Sequence, residues 1–447
     1  MYLQATFAAL AGMFLLATHI EGAALRRVEE IERCSSQPHL YWEEKQDFVL
    51  RQQYESFLDD WNAEYHRSFK PDTLMPRESL IHTLPQIHDG SVVACFIYWK
   101  WSNSINGYQM SAFNSRELEN GQHELTDIVE GTFEVGQFRL QYVHPESQVH
   151  KKTTEVHTFD DGNHYIIFFS MFAVEYQHVL IDHLGYLAYL KREFSQDSKV
   201  KIIMQDTHKL RQVVTTLDPE FIAKNIVWFS CKQIPRCVPL IQVTNGGTLS
   251  VVTPQSSTRH GAMYNMARHW FLETYEDLNF ESNEKTIVYY SRSNSLGARH
   301  GRAMDIEQEE SIKNAIQHFM RRYNRTEKFV IFDGKLSFND QVKLFYSATV
   351  VIGPHGGGLA NVLWMAEKEC ENRPNVLEFA TSPQSPAVQN GTFDVSYHTL
   401  YSQLPWVEFH QIFFTPESTR DVTFIDMGQL RRALQNILDP GRVAEIK

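Results

Sequence analysis

The chain has 447 residues, of which 43% are hydrophobic and 21% are charged, a globular composition at a length that suits two α/β domains better than one. It carries 54 acidic and 42 basic residues, for a formal net charge of −12 at pH 7. This balance argues against a nucleic-acid-binding protein, because such proteins need a basic face to displace the counterions of the phosphate backbone.

The first predicted element is an uncharged N-terminal segment over residues 3–20, with an apolar centre at 7–17. The apolar centre has the length of a signal-peptide core and falls short of the ~20 residues that span a membrane. We predict a signal peptide or a signal anchor over residues 1–24, with a buried helix as the remaining alternative. The N-glycosylation sequons at Asn324 and Asn390 agree with the predicted location in the endoplasmic reticulum or Golgi lumen, either membrane-anchored or secreted.

Residues 25–280 are predicted to form an N-terminal domain with a stem, in which strands come first and later alternate with helices. The predicted strands are 92–99, 133–143, 164–169, 201–205, 226–230, 240–243 and 248–253, and the predicted helices are 173–194, 207–217 and 259–275. Cys231 and Cys237 flank a short segment and are candidates for a disulfide. No C-x-x-C pair is present, which excludes zinc-ribbon and thioredoxin-type motifs.

Residues 281–447 are predicted to form a C-terminal domain in which the alternation is cleaner. The predicted strands are 286–291, 328–332, 349–353, 375–379 and one near 406–414, and the predicted helices are 306–323, 339–346, 359–365 and 427–438. Strands that alternate with helices indicate parallel sheets with both faces covered. The predicted fold class is therefore α/β, with two doubly wound domains that divide near residue 281.

The strongest functional signal is the segment 350–361, VVIGPHGGGLAN, in which an apolar strand ends in glycines and a helix follows. Gly356, Gly357 and Gly358 let the backbone come close to a ligand, and the helix start offers free N–H groups to an anion. His355 could add a donor to a diphosphate. The alternative is a tight turn whose glycines serve packing alone.

Two other functions that use similar loops fit less well. A dinucleotide-binding fold requires G-x-G-x-x-G, and Asn361 stands where its last glycine would fall. A lipase-type esterase with an HGGG oxyanion loop also requires a G-x-S-x-G nucleophile elbow, and this sequence has none.

Charged residues near other strand ends are candidates for the same site. Ser291 and Arg292 end the predicted strand 286–291, and Arg299 follows; arginine matches phosphate oxygens by its fork of donors, although solvated loop charge is the alternative. Glu378 stands near the end of a later strand, where a carboxylate could bind the two hydroxyls of a ribose, unless it is an ordinary surface acid.

In the N-terminal domain, Glu175, His178 and Asp182 have helical spacings of three and four residues and would share one helix face. A His–carboxylate pair there is a candidate base for deprotonating an acceptor hydroxyl; a histidine that anchors the helix is the alternative. His178 and His183 are five residues apart and miss the i, i+4 spacing of a zinc pair. The D-x-D motif of metal-dependent transferases is also missing, so a required divalent metal is not expected.

The segment 336–379 (LSFNDQVKLFYSATVVIGPHGGGLANVLWM…VLEF) resembles the signature of glycosyltransferase family 61, a strand followed by H-G-A-G-L-x-N, an apolar helix and a strand ending in Glu. Ser291-Arg292 with Arg299 resembles the upstream S-R…R element of that family. The segment 175–187 (EYQHVLIDHLGYL) resembles its H-x-x-x-D helix.

The likeness extends over roughly residues 160–415, with two mild departures. Gly357 stands where the family prefers Ala, and Ala360 stands where Thr is usual. We expect the loop to tolerate both changes.

The resemblance implies a GT-B fold, two Rossmann-type domains facing across a cleft, with a UDP-sugar held by the C-terminal domain. The residues implied on the donor side are Ser291, Arg292, Arg299, His355, Gly356, Gly357, Gly358, Asn361 and Glu378. The residues implied on the acceptor side, as base or its support, are His178, Asp182 and Glu175.

The expected function is inverting transfer of a sugar, with GlcNAc or xylose favoured, from a UDP-sugar to a hydroxyl of a glycan or glycoprotein. The UDP-sugar is a co-substrate and no further cofactor is expected. The expected partners are a nucleotide sugar and a glycan or glycoprotein acceptor, not nucleic acid, with membrane contact only through an N-terminal anchor. The alternative function is a non-catalytic luminal protein that binds a glycan or a partner on the same fold.

Overall fold

The fold is known from a computed structural model. It describes residues 39–41, 81–83, 95–102, 107–117, 123–128, 132–135, 138–141, 156–168, 176–229, 240–252, 261–274, 284–292, 303–368, 372–381, 404, 406–414 and 422–439. The predicted signal segment 1–24, Cys231 and Cys237 lie outside these residues. Within the described part, no helix is both long and apolar enough to cross a membrane.

The strands and helices can be given in chain order. The strands are β1 (His39–Tyr41), β2 (Ile81–Thr83), β3 (Cys95–Ser102), β4 (Gly107–Glu117), β5 (His123–Ile128), β6 (Thr132–Val135), β7 (Phe138–Gln141), β8 (Val156–Phe159), β9 (His164–Phe168), β10 (Val200–Gln205), β11 (Ile226–Phe229), β12 (Leu240–Val243), β13 (Thr248–Val252), β14 (Thr286–Tyr290), β15 (Ala303–Met304), β16 (Lys328–Phe332), β17 (Ala348–Pro354), β18 (Asn375–Thr381), β19 (Glu408–Phe414) and β20 (Val422–Thr423). The α-helices are α1 (Leu184–Phe194), α2 (His208–Leu217), α3 (Pro219–Asn225), α4 (Gly261–Thr274), α5 (Ile306–Arg322), α6 (Phe338–Tyr346) and α7 (Met427–Leu438).

The chain divides into two compact units, which we call the C-terminal unit and the N-terminal unit. The C-terminal unit comprises residues 1–73, 258–264 and 276–447, and the N-terminal unit comprises residues 74–257 and 265–275. One strand departs from the predicted domain organisation. β1 pairs in parallel with β19, with His39 opposite His410, and so extends the C-terminal sheet instead of lying in an N-terminal domain.

The C-terminal unit contains a six-stranded sheet in the order β1-β19-β18-β17-β14-β16, and its neighbouring strands are parallel. The chain runs from β14 to β16 on one side and then to β17 on the other side of β14. The strand order therefore reverses between β14 and β17. In open α/β sheets, ligands bind at such a reversal, outside the carboxyl ends of the two strands.

Both faces of this sheet are covered by helices, as a parallel sheet requires. On one face, Ile287 and Ile352 pack with Ile316 of α5 and Leu434 of α7 in one hydrophobic cluster. On the other face, α6 and the segment after β17 pack through aromatic contacts, such as Phe332 with Phe345 at 5.2 Å between ring centroids.

The helix starts follow from local sequence. The Asp305 carboxylate accepts hydrogen bonds at 3.0 Å from the backbone N–H groups of Glu307 and Gln308 and so caps α5. Ser337 and Asp426 cap α6 and α7 in the same way. Polar capping residues just before apolar-periodic segments explain why these helix boundaries are close to those predicted.

The N-terminal unit is mixed rather than wholly parallel. Its five-stranded sheet has the order β11-β10-β9-β13-β2, with parallel pairs except for β2, which is antiparallel to β13. Strands β3 to β7 form antiparallel sheets, β3-β4-β5 and β6-β7, in a region where the sequence predicted only two strand-like runs. The prediction of a doubly wound N-terminal domain therefore holds for one part of this unit only.

Two predicted α-helices have other geometries. Within the predicted helix 173–194, the described residues begin with one helical turn at Tyr176–His178. A π-helix follows at Val179–His183, and the longer α-helix α1 begins only at Leu184. Because π-helical bonds join residues five apart, the α-helical spacing that placed Glu175, His178 and Asp182 on one face does not apply through this segment.

The predicted helix 359–365 forms as a 3₁₀ helix at Gly357–Trp364. Its bonds join residues three apart, as in the bond from Leu359 N–H to Gly356 O at 2.9 Å. Glycine is a poor α-helix former, and this helix begins with two glycines, which favours the shorter and tighter turn.

Candidate functional site

The loops after β14 and β17 meet at the carboxyl edge of the C-terminal sheet, where the strand order reverses. Arg292 follows β14 and His355 follows β17, 63 residues later. Arg292 Nη1 donates a hydrogen bond of 2.7 Å to the backbone oxygen of His355. The topology therefore brings the predicted arginine and the predicted glycine loop into direct contact.

Two of the glycines have another side chain packed directly against them. A Cβ at Gly356 would lie 2.2 Å from Arg292 Nη1, and a Cβ at Gly358 would lie 2.4 Å from Cε2 of the Tyr290 ring. Both distances are far below ordinary contact. The glycines therefore do serve packing, as the alternative interpretation of the loop predicted. At Gly356, however, the group that fills the space is the Arg292 guanidinium.

Arg292 carries a positive charge that its described surroundings do not neutralise. Its side chain is half-buried, and its hydrogen bond goes to a neutral carbonyl. Among the described residues, no carboxylate lies within ion-pair distance of this guanidinium. A half-buried cation without a counter-charge beside a glycine loop is suited to bind an anion.

His355 is held by a buried carboxylate. Its Nδ1 lies 2.7 Å from Glu378 Oε1, and the Glu378 side chain has no exposed surface, while the His355 side chain is 13% exposed. Gln411 Nε2 donates a hydrogen bond of 2.9 Å to Glu378 Oε2. The predicted ribose-binding role of Glu378 does not fit this geometry, because its carboxylate is buried behind the histidine.

Asn361 is also buried and secures the loop from behind. Its amide Nδ2 donates to Gln341 Oε1 at 3.0 Å and to the backbone oxygen of Gly358 at 3.1 Å. Gln341 in turn donates to the backbone oxygen of Leu336 at 2.8 Å. Asn361 therefore ties the glycine loop to α6, and contact with a ligand, which the resemblance implied, would require the loop to move.

The remaining predicted donor-side residues differ in how far the structure describes them. Ser291 is buried, and its backbone N–H donates to the backbone oxygen of Phe332 at 2.9 Å. Gly357 is the first residue of the 3₁₀ helix. Arg299 lies outside the described residues.

The acceptor-side candidates lie in the N-terminal unit. His178 ends the helical turn at Tyr176–His178, and Asp182 lies in the π-helix; Glu175 lies outside the described residues. π-Helical turns occur frequently at functional sites, which agrees with a functional role for this segment. In the described part of the chain, no three His, Cys, Asp or Glu side chains are grouped as a metal site would require.

The two sequons also differ. Asn324 is exposed in the turn after α5, with a positive φ of 52°, and is therefore accessible for glycosylation. Asn390 lies outside the described residues.

Sequence reasoning missed three side chains that build this site: Tyr290, Gln341 and Gln411. Gln411 carried only a weak signal, because its strand, EFHQIFF, also contains the polar residues Glu408 and His410. Tyr290 and Gln341 carried none, since an aromatic strand residue and a polar helix residue are ordinary in those elements.

Residues 176–370 match the family model described as glycosyltransferase 61. The matched range includes Arg292, His355 and Asn361 and ends before Glu378. No curated protein matches the chain. Among solved structures, the chain is similar to the bacterial iron-containing dodecameric glycosyltransferase TibC from enterotoxigenic E. coli H10407, at 12% identity over 83% of this chain and 98% of that chain, with a TM-score of 0.31.

Proposed function

Because residues 176–370 carry the glycosyltransferase family 61 sequence, we propose that this protein transfers a sugar from a UDP-sugar to a hydroxyl of a glycan or glycoprotein. The family match supports glycosyl transfer as the activity. The observation that carries the proposal of a nucleotide-sugar donor is the contact between Arg292 and His355 at the reversal of strand order.

Arg292 binds the diphosphate of the donor in this proposal. Its guanidinium offers a fork of N–H donors that matches phosphate oxygens, and the described residues provide it with no competing carboxylate. The same charge stabilises the UDP that leaves when the bond to the sugar breaks. No D-x-D motif is present in the sequence, and we propose that transfer does not require a divalent metal.

The acceptor is activated by the segment that contains Glu175, His178 and Asp182. One of these side chains takes the proton of the acceptor hydroxyl as its oxygen attacks the anomeric carbon. The carbon–oxygen bond to UDP breaks on the opposite side, so the anomeric configuration inverts. GlcNAc and xylose are the sugars that the family resemblance favours.

The resemblance also implies a GT-B fold, and we include it in the proposal. Each unit contains a sheet with parallel strands in which the strand order reverses, and this supports the GT-B fold. A luminal location is supported by the exposed sequon at Asn324. Treatment of the protein from eukaryotic cells with an N-glycosidase tests that location, since Asn324→Gln is expected to remove one glycan and a cytosolic protein would carry none.

The experiment that tests the function is a donor screen on the purified full chain with a panel of nucleotide sugars, following both binding and release of free nucleotide. We expect one UDP-sugar to bind and to be slowly hydrolysed without acceptor. Arg292→Ala and His355→Ala are each expected to weaken binding by about 10–150-fold, which leaves the affinity measurable, and to slow the hydrolysis. Arg321→Ala is the matched control, because Arg321 is exposed at the end of α5, away from the loops after β14 and β17.

Two results would overturn the proposal. A folded sample that binds no nucleotide sugar would refute a donor site at Arg292. Binding of a UDP-sugar without transfer to any glycan or glycoprotein and without hydrolysis would support the non-catalytic binding protein instead.

A further inference from the structure

The side chains behind His355 form a line of hydrogen bonds across two strands. His355 Nδ1 lies 2.7 Å from Glu378 Oε1, and Gln411 Nε2 lies 2.9 Å from Glu378 Oε2. Each of the two carboxylate oxygens of Glu378 therefore has a nitrogen partner, and neither Glu378 nor Gln411 has exposed surface.

The strand register explains why these side chains meet. Gly353, Glu378 and Gln411 are direct partners across β17, β18 and β19, so their side-chain positions lie in one row on the same face of the sheet. Gly353 contributes no side chain to this row. The backbone of His355 is fixed by the same strand, because its N–H donates to the backbone oxygen of Phe379 at 3.0 Å.

The position of Glu378 is costly for a residue that serves stability alone. A buried carboxylate loses its hydration, and replacement of buried ionic groups by apolar residues is often neutral or stabilising. Buried carboxylates that hold a functional histidine are a recurrent exception, because they fix the ring orientation and decide which ring nitrogen carries the hydrogen.

We propose that Glu378 and Gln411 are positioning residues that hold His355 for contact with the diphosphate of the donor, an inference that rests on the proposed function. In this role Glu378 accepts the hydrogen bond, so His355 Nδ1 carries a hydrogen and donates it to Glu378 Oε1. Nε2 is then directed away from Glu378. In the imidazolium form, Nε2–H donates to a phosphate oxygen of the nucleotide.

The test is a double-mutant cycle on UDP affinity in the full chain. We expect Glu378→Gln to weaken UDP binding by about 10–100-fold, as is typical when the group that orients a functional histidine is removed. In the His355→Ala background the same change is expected to alter the affinity by less than about twofold, since the ring on which Glu378 acts is gone. Gln411→Leu, a second variant that leaves both His355 and Glu378 in place, is expected to follow the same pattern with a smaller loss.

A matched control is available on the same strands. His410 Nε2 lies 2.8 Å from Asn375 Oδ1, and Asn375 begins β18 at the end of the strand opposite to the candidate site. Asn375→Ala removes a hydrogen-bond partner from a buried histidine there. It is expected to lower the melting temperature without changing the UDP affinity.

The outcomes separate this inference from the proposed function. Equal losses from Glu378→Gln in the wild-type and His355→Ala backgrounds, or unchanged UDP affinity in a folded Glu378→Gln variant, would overturn the positioning role. If the wild-type chain binds no UDP, the proposed function fails. Even then, ¹⁵N NMR spectra show which ring nitrogen of His355 carries hydrogen, and the signal is identified because His355→Ala removes it. A ring without hydrogen on Nδ1, or a ring signal that Glu378→Gln leaves unchanged, would overturn the inference independently.

Discussion

Gly356→Ala is the substitution that most directly tests the role of Arg292. A Cβ at this position would lie 2.2 Å from Arg292 Nη1, whereas ordinary contacts begin at 3.4 Å, so the guanidinium has to move by roughly 1.2 Å, the difference between the two. The 2.7 Å hydrogen bond to His355 O would be lost in that movement. The far end of an arginine side chain moves easily, so the backbone of the loop is not forced to follow.

The expected effects on stability and on binding differ in size. The lost hydrogen bond costs about 1 kcal/mol of folding stability, and replacing glycine by alanine in extended backbone returns about 0.4–1 kcal/mol. The net change in the free energy of unfolding is therefore within about 1 kcal/mol. A hydrogen bond between a charged donor and a charged phosphate oxygen is stronger than the bond to the neutral His355 carbonyl and contributes about 1.5–3 kcal/mol. Loss of the arginine from its place therefore weakens UDP binding by about 10–150-fold.

Gly358→Ala is the matched control, because the same substitution two residues away meets a packed ring instead of a mobile side chain and is expected to lower the stability. Its Cβ would lie between 2.4 and 2.7 Å from three atoms of the Tyr290 ring, which is buried and packs 5.8 Å from the Phe332 ring. A packed ring cannot swing aside, and overpacking of this kind costs about 1–3 kcal/mol of stability.

Calorimetric titration with UDP and thermal unfolding of both variants separate the two effects. We expect Gly356→Ala to lose UDP affinity at a nearly unchanged melting temperature, and Gly358→Ala to lose several degrees of melting temperature. A Gly356→Ala variant with wild-type UDP affinity would show that Arg292, in the position described, does not hold the nucleotide.

Three further predictions concern other parts of the molecule. Glu309→Met is expected to stabilise the protein by about 1–3 kcal/mol in urea unfolding, because Glu309 is 1% exposed and neither of its carboxylate oxygens has a hydrogen-bond partner among the described residues; a loss of stability would reveal a polar partner. Burial alone would raise the pKa of Glu327, but the hydrogen bonds from Arg325 outweigh it and hold the pKa below its usual range. The stabilisation by ionised Glu327 is fully present above the unfolded pKa, about 4.3, and is lost progressively as the pH falls through the lower folded pKa. Glu327→Gln is therefore expected to be less stable than wild type by about 2 kcal/mol at pH 7, with a difference that shrinks steadily below about pH 4.3, and a difference that does not change with pH would contradict this. His178→Ala and Asp182→Asn are expected to reduce turnover at least about 100-fold while UDP affinity stays within about twofold, and a parallel loss of affinity would move these residues out of the acceptor role.

The elements of the C-terminal unit were largely predictable from local sequence. Apolar runs such as β14 and β17 are short, buried on both faces and bounded by polar turns, and Asp305 and Ser337 stand at the helix starts that they cap. The predicted helix type was wrong where tertiary packing, and not the spacing of apolar residues, decides it. The π-helix at Val179–His183 and the 3₁₀ helix at Gly357–Trp364 have apolar patterns that a sequence cannot distinguish from an α-helix.

The candidate site was predictable in its residue types but not in its roles. Arg292 and the glycine loop were identified because each follows a strand, and the structure joins them by a hydrogen bond. Glu378 was predicted to meet the ligand, yet it lies behind His355, because burial of a strand residue depends on which face its neighbours cover. Gln411 could not be placed at all without the register of β18 and β19.

The sequence by itself determined the match of residues 176–370 to the glycosyltransferase 61 family model, the alternation of strands and helices, and the two segments from which the candidate site is built, because these depend on residues that are close along the chain. Only the tertiary structure decided that β16 and β17 lie on opposite sides of β14, which sets the loops of Arg292 and His355 against each other. It also decided that Glu378 lies between His355 and Gln411. Strand order and register depend on contacts between residues far apart in the chain, and these form only when the apolar faces of the sheet are buried by their helices.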